Sequence, residues 1–403
     1  MRLEDALERL LGAVHALPIG LAETLSTFDA RGRVLAADVL STLDVPPEDN
    51  TAMDGYAVRV ADLPSIGTVL PVSQRIPAGV VGAPLQPGTA ARIFTGAQVP
   101  HGADAVVMQE LCEAVDGGVR INTMPPVGLS IRRRGEDVKT GAVVLASGTR
   151  LTPQGLGLAA AVGAGHVRVM RRPRVAMFST GDELRMPGEP LPPGAIYNSN
   201  RFTLRGLIEA CGAECVDLGI VADRLDATRE ALRRAAIDCD LILTCGGVSV
   251  GEEDHVRNAV LAEGRIDLWQ VALKPGKPLA FGEVRRADGG SAHFIGLPGN
   301  PVSSFVTFLL TVRPVLLRLQ GASDLALKPL LMRADFDWPR PDRRREFLRV
   351  KRNAAGGLDL FPNQGSGVLT SVVWADGLVD LPANQAVKPG DTVAFLSMSE
   401  LLS

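Results

Sequence analysis

The order of apolar and polar positions divides this chain into stretches of different texture. Leu3, Leu7, Leu10, Leu11 and Val14 recur at helical spacing on one face, and Pro18-Ile19-Gly20 closes that first segment. From Ser41 to about Lys139 the apolar runs become short (VLPVSQRI, ARIFTGAQV, DAVVMQE) and alternate with PAG, PLQPG and PHGAD, which predicts a small β-rich domain. GAVVLASGTRLTPQGLGLAAAVGAGHVRVM then reads as strand, helix and strand, with Pro153 in the first helical turn, where its missing N–H costs nothing.

From Pro173 strands and helices alternate. VAMFSTG, AECVDLGIV, DLILTCGG and HFIGLPGNP read as strands with their turns. SNRFTLRGLIEACG, with Ser199 or Asn200 as its cap, RLDATREALRRAAI and SSFVTFLLTVRPVLLRL read as helices. That alternation predicts a mostly parallel, doubly wound sheet covered on both faces. After about Gly321, LKPLLMRADF, EFLRVKRN, GLVDLP and DTVAFLSM are short strands of a small barrel or sandwich.

Composition narrows the class. The 403 residues imply about two to four domains. A hydrophobic share of 46% with a net charge of −3 describes a soluble globular chain with no basic face for nucleic acid. Arg132-Arg133-Arg134 reads as a solvated turn. Glu4, Asp5 and Glu8 interrupt the first segment, so it does not resemble a signal peptide. Phe305–Leu317 is interrupted by Arg313 and Pro314 and is short for a bilayer. Five cysteines without CxxC spacing point to a reduced, cytoplasmic protein without disulfides or a zinc ribbon.

Candidate chemistry gathers at strand ends. Leu243-Thr244-Cys245-Gly246-Gly247-Val248-Ser249 leads into Glu252, Glu253 and Asp254. Ligands of open α/β sheets bind beyond the carboxyl ends of strands, where glycines let amides approach an anion. Asp254 then offers a carboxylate useful with a bridging Mg²⁺; the alternative is a structural turn beside a solvated acidic cluster. Ser179-Thr180-Gly181-Asp182-Glu183 and Leu297-Pro298-Gly299-Asn300-Pro301 end two more strands, so that three loops form one pocket. Lys274-Pro275-Gly276-Lys277-Pro278 adds two cations for oxyanions, or two solvated lysines. In the β-rich domain Asp49, Asp54 and Tyr56 crowd one polar segment, although Asp54-Gly55 is also a hairpin signal. No GxxxxGK[ST] or HExxH occurs, and the histidines lack ligand spacing.

Seven motifs in order, DNTAMDGYAV, RIFTGAQVPHGADAVVMQE, GEDV, STGDEL, TCGGVSVGEED, KPGKPLAFG and LPGNPVSSF, resemble those of the molybdopterin molybdenumtransferases of the MoeA type, including the E domain of gephyrin. RRREFLRV and NQGSGVLTSVVWADGLVDLP resemble that family's last domain. Departures are small: SVGEED lacks an aromatic before the Asp, Thr51 stands where Ser is common, and LKPGKP replaces MKPGKP.

The resemblance implies a homodimer of four-domain subunits. Their expected extents are a linking domain (22–40 and 142–172), an inserted β-rich domain (41–141), a MogA-like α/β molybdopterin-binding domain (1–21 and 173–320) and a C-terminal β-barrel (321–403). The implied reaction inserts molybdate into adenylylated molybdopterin, with Mg²⁺-dependent hydrolysis of the adenylate and release of AMP. Asp54, Thr95, Asp137 and Glu183 match its catalytic positions, and Asp254, Glu183 and Asp223 its metal positions. Substrate contacts are implied for Ser179, Thr180, Gly181, Asp182, Asn198, Ser199, Asn200, Gly246, Gly247, Ser249, Lys274, Lys277, Pro298, Gly299, Asn300, Arg344 and Ser371. Implied partners are a molybdopterin adenylyltransferase and recipient molybdoenzymes, with neither nucleic acid nor membrane. Two rival readings are the adenylyltransferase itself and a non-catalytic pterin-binding scaffold.

Overall fold

A computed structural model describes residues 1–247 and 255–402. The first helix, α1 (Leu3–Ala13), buries Leu3, Ala6 and Leu10 and stops before the proline turn. Residues 22–40 and 142–172 pair with each other: Glu23–Ser26 runs antiparallel to His166–Val169, and Val39–Leu40 to Val143–Leu145. Helix α2 (Pro153–Ala161) lies in this unit, its Thr152 side chain accepting from the Gly155 N–H and Pro153 in its first turn.

Between these halves lies the β-rich segment. Strands β1 (Gly55–Val58), β2 (Val72–Ile76), β3 (Ala90–Ile93) and β4 (Ala105–Met108) form a four-stranded sheet in the order β2-β3-β1-β4. Apolar residues alternate between its faces, so Ala57, Ile93 and Val106 enter one core while Val58, Ala105 and Val107 enter another.

The largest unit is the α/β one. Strands β5 (Arg174–Thr180), β6 (Glu214–Val221), β7 (Leu241–Cys245), β8 (Gly264–Gln270), β9 (Pro278–Arg285) and β10 (Ser291–Leu297) form one sheet in the order β6-β5-β7-β10-β9-β8. The first four are parallel; β9 and β8 complete the edge antiparallel. Helices α3 (Ser199–Ala210), α4 (Leu225–Asp238), α5 (His255–Glu263), α6 (Pro301–Thr307) and α7 (Arg313–Leu319) cover it. Val175 and Met177 of β5 face α1, α3, α6 and α7, while Ala176 and Phe178 face α4 and α5. A strand buried on both faces reads as continuous apolar sequence, as VAMF and LIL do here.

One π-helical turn, Phe308–Val312, joins α6 to α7. The resulting stretch Pro301–Leu319 is apolar and long enough to cross a membrane, yet 94% of it is buried within the fold, so it serves as a core helix here. The last unit curls β11 (Leu330–Arg333), β12 (Arg345–Arg352), β13 (Gly377–Leu381) and β14 (Thr392–Ser397) around Phe336, Leu348, Val379 and Phe395. Leu358–Leu360 pairs with β12, and a bridge from Ala334 to Leu358 brings the ends of this sheet back together. The short segment Leu273–Lys274 leaves the α/β unit to pair with Arg345 and Glu346, tying the two units through backbone.

Phe308 is fully buried in the larger core. Phe308→Ala is expected to cost about 3–5 kcal/mol of stability in that unit, read as a lower denaturant midpoint with unchanged secondary structure before the transition.

Candidate active site

The carboxyl ends of β5, β7 and β10 open onto a cavity of about 370 Å³. Its wall is built from Ser179, Thr180 and Glu183 after β5, Asn198, Ser199 and Asn200 at the head of α3, Cys245 and Gly246 after β7, and Gly299 and Asn300 after β10. The three strand-end loops expected to converge therefore do so. Leu184, Ile196, Tyr197, Cys245 and Pro301 complete the wall. Of these, Cys245 and Pro301 belong to the loops the sequence singled out, whereas Leu184, Ile196 and Tyr197 were missed; Tyr197 lies just before the cap motif, and that proximity was the available signal.

Several polar groups are fixed by the fold. Asn198, not Ser199 or Asn200, caps α3, its side-chain oxygen accepting from the Arg201 N–H at 3.1 Å. The cap lies one residue earlier because only Asn198 has the non-helical backbone that lets its side chain reach back to the first turn. Its Nδ2 is buried without a partner in the cavity wall, a donor awaiting an acceptor. Asn200 donates through Nδ2 to the Gly299 carbonyl at 2.7 Å and to Cys245 Sγ at 2.9 Å, holding the loop after β10 against that after β7. Burial pushes the Cys245 thiol up, so it remains protonated.

Thr180 Oγ1 donates to Asp223 Oδ1 at 3.1 Å, bringing that carboxylate beside the end of β5. Glu183 folds back over Gly181: a Cβ on Gly181 would lie 2.5 Å from Glu183 Oε2. Two carboxylates thus flank Thr180-Gly181. Asp182 and Pro298 stand in the same loops, and the Pro298 carbonyl accepts from Ser304 Oγ. The Gly246 N–H is already spent on the Leu297 carbonyl at 3.1 Å. Gly247 itself has φ +64, and a Cβ there would meet Val256 Cγ2 at 2.6 Å. Ser249 and Asp254 lie outside the described residues. Among the described residues no three His, Cys, Asp or Glu side chains gather as a metal cluster.

The expected cations sit elsewhere. Lys274 Nζ lies 2.9 Å from Glu346 Oε1 and 3.3 Å from Asp342 Oδ2, an attraction of charge more than of hydrogen-bond geometry. Arg344 donates to both carboxylate oxygens of Asp342. Glu346, almost wholly buried, also accepts from Trp338 Nε1 at 3.0 Å. Two cations and two carboxylates therefore neutralise one another at the join between the α/β and C-terminal units. Lys277 is exposed and, among the described residues, has no carboxylate within ion-pair distance.

Ser371 is fully buried and meets Arg349 rather than Arg344: its hydroxyl accepts from Arg349 Nε at 3.1 Å and donates to the Val368 carbonyl at 2.6 Å. Arg344 is instead held on the other side of β12 by Asp342, because it precedes the strand by one residue and Arg349 lies within it. Arg349 is fully buried, with its other donors on the carbonyls of Phe347 and Gly365, and burial pulls its pKa down.

In the β-rich unit, Asp54 Oδ1 accepts from both the N–H and the Oγ1 of Thr95, each at 2.7 Å. The Thr95 side chain first, then its amide, holds the Asp54 carboxyl below its ordinary range. Asp137 is exposed. The arginines before it are not merely solvated: Arg133 pairs with Asp49 at 2.6 Å and Arg134 with Asp44 at 2.6 Å, which fastens that turn to the polar segment carrying Asp54. None of Asp54, Thr95 and Asp137 lines the strand-end cavity.

The Lys274 join makes two tests. Lys274→Met leaves Glu346 buried without its cation, and the expected cost is about 1–3 kcal/mol in thermal or denaturant unfolding. Arg344 side-chain hydrogen bonds, ahead of the other causes, hold Asp342 far below the usual carboxyl range. A depressed folded-state pKa contributes stability fully above the unfolded value of about 3.9, and that contribution is lost as pH falls below it. Asp342→Asn should therefore flatten the acid limb of a stability–pH profile below about pH 4 while leaving its neutral-to-alkaline shape unchanged.

Comparison with known proteins agrees with this organisation. Residues 1–163 match the MoeA N-terminal region (domains I and II), residues 176–318 a probable molybdopterin binding domain, and residues 332–398 the MoeA C-terminal region (domain IV). A molybdopterin molybdenumtransferase of Haemophilus influenzae is 37% identical, over 94% of this chain and 95% of that protein. Molybdopterin molybdenumtransferase 2 of Mycobacterium tuberculosis is 40% identical, over 89% of this chain and 90% of that one. The crystal structure of a molybdopterin biosynthesis MoeA protein from Pyrococcus horikoshii superposes with a TM-score of 0.83 at 29% identity, covering 98% of this chain and 99% of that one. With relatives above a third identical across nearly its whole length, this chain belongs to the molybdopterin molybdenumtransferase family.

Proposed function

We infer that this protein inserts molybdate into adenylylated molybdopterin, hydrolysing the adenylate and releasing AMP. Membership of the family along the whole chain carries the reaction, and the cavity at the strand ends supports its placement. Neither rival reading is favoured: the matches extend across all the units, whereas the α/β unit alone would suffice for an adenylyltransferase.

The charge of the cavity argues for a divalent cation. Among the described residues its wall carries the Glu183 carboxylate and no lysine or arginine, so a phosphate ester there meets repulsion without a counter-charge from them. Mg²⁺ is commonly held by one or two carboxylates, with substrate oxygens filling its shell. Glu183 and Asp223, standing on either side of Thr180-Gly181, fit that mode, and Asp254 would join them. When bound, Mg²⁺ would polarise the phosphoryl oxygens.

The chain's own residues do the rest. Asn198 Nδ2 and the Gly247 amide donate to substrate oxygens or ring acceptors. Asn200 keeps the two glycine loops at fixed separation. Asp54, ionised by its two bonds from Thr95, orients or deprotonates a reacting group, and with Asp137 it would reach the cavity from a second subunit. Lys274, Lys277, Arg344 and Ser371 stand as the candidate oxyanion contacts, with Lys274 and Arg344 paired to acids at the join and Ser371 held by Arg349.

AMP release from adenylylated molybdopterin, measured with and without molybdate, tests the reading. Wild type should release AMP in the presence of molybdate and Mg²⁺. Asp223→Asn or Asp254→Asn should lower that rate about 100-fold or more, as loss of a preorganised charge commonly does, and should raise the Mg²⁺ needed. Full Mg²⁺-dependent turnover in both variants would refute the metal assignment. Co-purified subunits bearing Asp54→Asn and Asp223→Asn separately should recover part of the rate if the site is shared between two copies.

A further inference from the structure

A larger cavity, of about 690 Å³, lies away from the strand-end site, where the linking, α/β and C-terminal units meet. Its volume suits a small molecule. Its charge differs from that of the strand-end cavity. Arg31 and Arg150 reach it from the linking unit, Arg313 from α7, and Lys328 from the C-terminal unit, against two carboxylates, Asp324 and Glu400. Four cations less two anions leaves two positive charges in excess.

The carboxylates are already engaged. Asp324 accepts from Lys328 Nζ, and Glu400 Oε1 accepts from the Lys328 N–H at 2.6 Å. Among the described residues the three arginines have no carboxylate within ion-pair distance. Among the described residues Arg150 donates to the carbonyls of Ala210 and Gly32 alone. Arg313 is more extreme. It is 7% exposed, and among the described residues its one hydrogen bond is a long one of 3.4 Å to the Glu400 carbonyl, while its Nε and Nη1 are buried without a hydrogen-bond partner. A buried guanidinium left without acceptors is costly, and native folds rarely keep one unless something else supplies them. Burial pulls the pKa of both Arg150 and Arg313 down, and the charges of Glu400 and Asp324 offset only part of that effect at Arg313. Helix α2 also begins at this wall, at Thr152 and Pro153, and adds the positive end of its dipole.

We propose that this three-way junction is a second binding site, for a small phosphate- or diphosphate-bearing molecule, in which Arg313 and Arg150 hold the oxyanion and Arg31 covers it from the solvent side. Guanidinium groups match phosphate oxygens in geometry as well as charge. Because the wall draws on three units, an occupant favours the arrangement that gathers them, so binding raises the stability of the whole chain.

The two cavities differ in a way an experiment can use. Among the described residues the strand-end cavity has no lysine or arginine in its wall, whereas the junction supplies its own positive charge. Pyrophosphate is therefore titrated calorimetrically into the full-length protein in EDTA, without divalent metal. One site per chain is expected, weakening as salt is raised, together with a higher melting temperature. Arg313→Leu and, separately, the surface change Arg31→Ala should each weaken binding tenfold or more. AMP release should stay at the wild-type rate in both, since neither residue lines the proposed catalytic cavity. Asp223→Asn should bind pyrophosphate as wild type does. Absence of metal-free binding at millimolar pyrophosphate, or equal affinity in wild type, Arg31→Ala and Arg313→Leu, would overturn the proposal. So would loss of binding in Asp223→Asn, which would place the ligand at the strand ends. Failure of AMP release in the wild type would count against the catalytic reading alone.

Discussion

The architecture depends on burying both faces of the parallel strands β5, β7 and β10. Val175 and Met177 require cover on one side, Ala176 and Phe178 on the other, and two helical layers provide it. Ladder hydrogen bonds satisfy the backbone within the sheet, but they stop where the strands stop. The carboxyl ends must therefore change composition from apolar to glycine, hydroxyl and amide. The cavity between Thr180, Gly246 and Gly299 is the consequence. The composite helix Pro301–Leu319 serves the same constraint, since it begins at the cavity's edge and runs apolar into the core.

A second constraint is electrostatic. The α/β and C-terminal units meet through Lys274, Asp342, Arg344 and Glu346, whose charges cancel. A buried carboxylate such as Glu346 is tolerable only with its cation and its Trp338 donor in place. The join therefore fixes the orientation of β12, and with it the buried pair Arg349–Ser371. The strand-end cavity, by contrast, has no lysine or arginine among its described wall residues, whereas the three-unit junction is lined by four cations.

How far the site was legible depended on whether a group's partners lay nearby in the sequence. Thr180, Glu183, Asn200, Gly246 and Gly299 follow strands whose apolar runs are evident, so their convergence follows from the topology of a parallel sheet. Asn198 as the cap of α3 was off by one residue, because backbone conformation and not residue type decides among three adjacent capping residues. Lys274 looked available because the acids that neutralise it are about seventy residues later in the chain. Arg344 and Arg349 are both arginines near one strand, and only side-chain direction separates the one that meets Ser371 from the one held by Asp342.

Local periodicity, turn residues and ordered motifs by themselves determined the alternation of strands and helices, the β-rich insertion and the family, because each depends on residues close together in the chain. Tertiary structure alone decided which charges cancel, that the Gly246 amide is spent within the fold, and that two donor nitrogens of Arg313 are buried without a hydrogen-bond partner among the described residues at a junction of three units. Burial and pairing are relations between distant residues, and a linear pattern carries no measure of either.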